Sequence, residues 1–150
     1  MSLSEKVSAD LINAMKTRDK VALEAFRAAK TAFTLARAEK GADSVLTEAE
    51  ELKIIHKLVK QRQESAAIYK ENNRQDLYEK EAAEVRVLEK YLPAKASDEE
   101  LTEILKAIID KLGAKTPADM GKVMGVATRE LAGKADGKEI SAKVRQLLGQ

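Results

Sequence analysis

Lys122, Arg129, Lys134 and Lys138 fall in and around two glycine-punctuated stretches, Asp119-Met120-Gly121-Lys122-Val123-Met124-Gly125 and Gly133-Lys134-Ala135-Asp136-Gly137. Cations beside a bared backbone can hold phosphate, the ammonium or guanidinium group being joined by free amides at loops and helix ends. Five of the seven glycines in the chain (Gly113, Gly121, Gly125, Gly133, Gly137) lie in this region. Residues 111–150 carry eight lysines or arginines against four acids, a mild basic bias within a 150-residue chain of net charge +2. A solvated charged face with tight helix contacts is the alternative reading of the same residues.

Other chemistry finds little support. His56 is the single histidine, with no cysteine anywhere, so neither a metal site nor a catalytic triad is expected, and no metal or other cofactor. The carboxylate pairs Glu50-Glu51 and Glu99-Glu100 sit where helices should begin, which suits the macrodipole better than acid–base work. The glycine clusters follow no strand and match neither a phosphate loop nor a dinucleotide fingerprint. By residue chemistry the chain is not expected to be a self-sufficient enzyme. No aromatic residue follows Tyr91, which disfavours base stacking in the C-terminal part; RNA read by backbone and shape remains open, and DNA is not expected.

The elements that must position these residues are helical. Alanine, leucine and charged residues dominate, prolines number two, and no apolar run reaches the roughly 20 residues of a membrane span. No membrane partner is expected, and the location expected is cytoplasmic. Ser2 with Glu5 and Thr47 with Glu50 form capping boxes, and Asp19 can cap a further helix that Gly41 ends in a left-handed conformation. From Thr47 the apolar spacing through Ile55, Val59, Ala66 and Tyr69 runs to Asn72, a helix of roughly 36 Å against the ~31 Å breadth of a compact domain. Asn72-Asn73 then turns the chain into a fourth helix. An antiparallel hairpin about residue 73 sets Arg62 opposite Glu84, with Glu81 one turn away, and predicts a structural ion pair.

Pro93 to Ser97 reads as a boundary between an N-terminal domain (1–93) with a long helical hairpin and a C-terminal domain (94–150). Ser97 with Glu100 opens an amphipathic helix closed by Gly113, Thr116-Pro117 starts a second, and a third begins near Lys138. The predicted fold is all-α, a four-helix unit followed by a three-helix unit. A glycine inside a helix costs about 1 kcal/mol relative to alanine, so Gly121 and Gly125 predict close approach of another backbone.

The chain resembles the YqeY family, small bacterial proteins that share a domain with the tail of the GatB subunit of glutamine-dependent aminoacyl-tRNA amidotransferase. The resemblance is carried by Lys60-Gln61-Arg62 with Ser65, by Arg74 with Asp76-Leu77, by Glu81, Glu84 and Leu88 leading into Tyr91-Leu92-Pro93, and by both glycine stretches. It implies a GatB-tail-like C-terminal domain and association with tRNA. It points to Gly121, Lys122, Gly125, Gly133, Lys134, Ala135 and Asp136 as contacts, with Gly137 departing from the amidotransferase pattern. A family label of carbon–nitrogen ligase activity with glutamine as amido-N-donor would follow by domain name, but the catalytic core is absent from the pattern. For Asp136 a cap on the last helix is the simpler role. The rival expectation is an adaptor that holds a protein partner, in translation or around the amidotransferase, on the hairpin and a glycine-lined groove.

Overall fold

The computed structural model describes residues 1–149 and is all-helical, with seven α-helices and no strand among those residues: α1 (Leu3–Thr17), α2 (Lys20–Lys40), α3 (Glu48–Glu71), α4 (Gln75–Glu89), α5 (Asp98–Leu112), α6 (Met120–Glu130) and α7 (Gly137–Leu147). The chain divides into two compact units, Met1–Leu92 and Pro93–Gln150. Local chemistry sets most of the boundaries. The hydroxyls of Ser2 and Thr47 accept the amides of Glu5 and Glu50, whose carboxylates reach back to the cap amides, so both capping boxes close. Asp19 accepts the Ala22 amide at the head of α2. Gly41 ends α2 with φ 139° and ψ 147°, not in the expected left-handed helical region; this extended positive-φ conformation is open to glycine because it lacks a Cβ.

The first unit is organised by the hairpin of α3 and α4, which turns through Asn73 in the left-handed region (φ 56°). Its core joins Val7 and Leu11 of α1, Phe26 and Phe33 of α2, Ile55 and Val59 of α3, and Val85 and Leu88 of α4. Two polar ties join the helices around this core. Glu51, only 3% exposed, accepts the Ser4 amide at 2.7 Å. A buried carboxylate on α3 thus satisfies one of the orphan donors that every helix N-terminus leaves, here on α1. The Tyr91 hydroxyl donates to Asp10, holding the chain just past α4 against α1, and Tyr91 meets Phe26 edge to face at 6.1 Å. Burial, then the Asp10 carboxylate, pushes the phenol well above its ordinary value.

In the second unit, α5 buries Leu101, Leu105, Ile108 and Ile109 and ends at Gly113, left-handed at φ 65° as expected of a helix stop. The glycine-rich helix begins differently from the expectation: Pro117–Asp119 form a single 3₁₀ turn, and the α-helix proper opens at Met120. Val123 and Ala127 of α6 and Ile140 and Val144 of α7 close the core, with Met120 and Met124 packed against it.

Candidate nucleic-acid interface

The apolar stripe of α6 fixes what its other side presents. With Val123 and Ala127 buried, Gly121, Lys122, Gly125 and Arg129 are all exposed, and at 100° per residue the four fall within about 100° of arc. They form one solvent-facing strip. The expectation that Gly121 and Gly125 admit a neighbouring backbone is overturned: a Cβ built on either would meet nothing within 4 Å. The missing side chains leave bare helix on open surface, flanked by two cations. The Arg129 Nε donates to the Gly125 carbonyl at 3.3 Å, which lays the guanidinium along the strip.

The second glycine stretch is a turn with a structural assignment for nearly every residue. Gly133 is buried with φ 78°, a conformation costly for any residue with a Cβ. Lys134 donates its amide to the Leu131 carbonyl at 2.9 Å, and its own carbonyl accepts the Ala96 amide at 3.0 Å, fastening the turn to the segment that enters α5. Ala135 is buried in the core. Asp136 is the N-cap of α7, accepting the Glu139 amide at 2.8 Å, as the simpler reading of this residue expects. Gly137 and Lys138 follow as exposed first-turn residues, while the Lys134 side chain is half-buried.

Charge at the helix ends works against one part of the expected chemistry. Asp119 accepts the amides of Lys115 (3.0 Å) and Thr116 (3.3 Å) and faces the Thr116 hydroxyl at 3.4 Å. Those backbone hydrogen bonds, helped by Lys122, hold its carboxyl below the usual carboxylate range. A fixed anion therefore stands before α6, and Asp136 stands before α7. Phosphate held by free amides would meet Asp119 at the start of α6 and Asp136 at the start of α7, so the basic side chains on the open faces are what remains for an anion.

Arg62, Glu84 and Glu81 belong to the first unit. Arg62 Nε lies 3.5 Å from Glu84 Oε1, with the side chains 16% and 7% exposed, and Arg62 Nη1 donates to the Leu58 carbonyl at 3.2 Å. This is the structural pair expected from the hairpin register. Burial raises the Glu84 pKa, Arg62 opposes that, and Glu81 adds to it. His56 is half-buried, and its Nδ1 has no hydrogen-bond partner among the described residues. Sequence reasoning missed Glu51, whose partner is 47 residues away, and it missed a groove on the α3–α4 hairpin lined by Gln63, Lys70, Tyr78 and Arg86. The signal for that groove was an aromatic between basic residues on both arms of a predicted hairpin.

Among the described residues no helix is long and apolar enough to cross a membrane. Two comparisons bear on kinship. The family described as Yqey-like protein matches residues 4–148. A protein of Pyrenophora tritici-repentis (strain Pt-1C-BFP) named "Altered inheritance of mitochondria protein 41, mitochondrial" is 30% identical over 148 residues, covering 96% of this chain and 80% of the relative. A match that runs across both helical units shows that the chain belongs to the YqeY-like family.

Proposed function

We propose that the protein is a non-catalytic tRNA-binding accessory protein, resembling the amidotransferase tail, whose C-terminal unit holds the RNA backbone on the exposed face of α6. The observation that carries this reading is the open strip of Gly121, Lys122, Gly125 and Arg129. Bare helix lets a sugar–phosphate chain come close, and the two cations flank it. Lys138 at the exposed first turn of α7 and the half-buried Lys134 add two further cations in the same unit. Gly133, Ala135 and Asp136 shape the turn and touch no RNA. The amidation chemistry of a carbon–nitrogen ligase is not proposed for this chain, and its setting is the cytosol.

The test is binding of purified tRNA by filter retention across a salt series. Wild type should bind at low salt with an affinity that falls steeply as salt rises. K122E/R129E should bind far more weakly and with a salt slope shallower by about 2, one unit for each lost phosphate contact. K134E/K138E should weaken binding less. Absence of wild-type binding at low salt overturns the function; equal binding by wild type and K122E/R129E overturns the site.

A further inference from the structure

The α3–α4 hairpin carries a groove of about 430 Å³, within the roughly 300–1,000 Å³ of small-molecule sites. Small side chains (Ala66, Ala67, Ala82) and Val85 line it together with Tyr78, Gln63, Lys70 and Arg86. No carboxylate lines it, and among the described residues neither Lys70 nor Arg86 has an ion-pair partner. Two other cavities differ in this respect. The one between α1, α2 and α4, about 330 Å³, has Asp10 and Asp19 on its rim against Lys90 alone. The one beside Leu46 has its Lys40 already held by Glu50 at 2.9 Å. Of these three cavities the hairpin groove is the one whose charge suits an anion.

We infer that this groove is a binding site for one unstacked nucleotide of single-stranded RNA, with the base on the Tyr78 ring, the phosphate between Lys70 and Arg86, and the Gln63 amide at the base edge. The Lys70 ammonium lies 5.7 Å from the centre of the Tyr78 ring. An exposed lysine over a half-buried ring is a weak contact, and stacking of a base on that ring is stronger, so an arriving base displaces the ammonium and leaves it to the phosphate. A primary amide carries both a donor and an acceptor and can meet the edge of any base, which gives the site tolerance rather than a strict sequence. This goes beyond the reading of α6 and uses none of its residues.

Fluorescence polarisation with 5′-labelled hexaadenylate tests the assignment on the full chain. Wild type should bind the hexamer at low salt and bind a base-free ribose-phosphate hexamer at least about fivefold more weakly, the loss of one stacked base. Y78F should match wild type, Y78A should lose about fivefold or more, and K70E/R86E about tenfold with a shallower salt dependence. K122E/R129E should keep hexaadenylate binding while losing tRNA, which separates this site from the α6 face. Equal affinity for the base-free hexamer overturns the inference even if Y78A does not fold. So does the absence of hexaadenylate binding, which leaves the groove to a protein partner. Adenosine monophosphate competing as well as the hexamer would make the ligand a free nucleotide and overturn the RNA assignment.

Discussion

Replacing Gly125 with alanine should stabilise the protein. Gly125 sits in the interior of α6, its helical backbone is one that alanine adopts freely, and a Cβ there meets nothing within 4 Å. With no steric cost to subtract, the helix propensity difference of about 1 kcal/mol in favour of alanine stands almost whole. Gly121 lies in the first turn, where fewer helical bonds depend on it, and should return less than half of that. For a domain of 60–100 residues, about 1 kcal/mol raises the melting temperature by roughly 4–8 °C, which calorimetry resolves easily. The same methyl stands on the face proposed to meet RNA, so tRNA affinity should fall as stability rises. Urea titration and filter binding on G125A and G121A/G125A measure the two quantities side by side. Loss of stability in G125A would refute the open-face reading, because it would mean that another chain segment packs where the glycine stands. A gain in stability with unchanged tRNA binding would refute the claim that the bare strip is in contact with RNA.

Gly133 predicts the opposite sign: at φ 78° an alanine is strained, so G133A should lose about 1 kcal/mol or more in the same titration. E51A should cost roughly 1.5–3 kcal/mol, the range for a hydrogen bond to a charged group, and Ser4→Pro removes the same bond from the donor side. In a double-mutant cycle E51A should therefore cost much less in the S4P background; additive losses would show that the Ser4 amide is not its partner. Glu84 has a folded pKa raised above 4.5, so the unfolded chain ionises first as pH rises. Its contribution is full below 4.5 and is lost as pH rises through the folded value, so the stability of E84Q relative to wild type should climb across that window. A difference independent of pH would contradict the burial of this carboxyl.

What could be read from the chain before folding was whatever is decided within a few residues. Ser2, Asp19, Thr47 and Ser97 announce helix starts because their hydroxyl or carboxylate reaches an amide three residues on. The Arg62–Glu84 pair was legible as well, since a hairpin about Asn73 leaves only one register. Glu51 was not, because its acidic neighbours Glu48 and Glu50 make the same sense at a helix start and nothing local marks it as the one that turns inward. The glycines of α6 were misread for a related reason. A missing Cβ is the same letter whether it makes room for a neighbour or leaves a surface bare, and only the position of Val123 and Ala127 decides between the two.

The tie between Tyr91 and Asp10 spans 81 residues and also sets an order of events on the ribosome. At about 5–20 residues per second, α1 leaves the exit some 4–16 s before the segment that will cover it. During that wait Val7 and Leu11 have α2 and then α3 to lean on, while Val85 and Leu88 of the same core are not yet made. The apolar core of the N-terminal unit therefore stays incomplete until α4 is made. In the C-terminal unit every core partner arrives within about fifty residues of the first, so it can close almost as soon as it emerges.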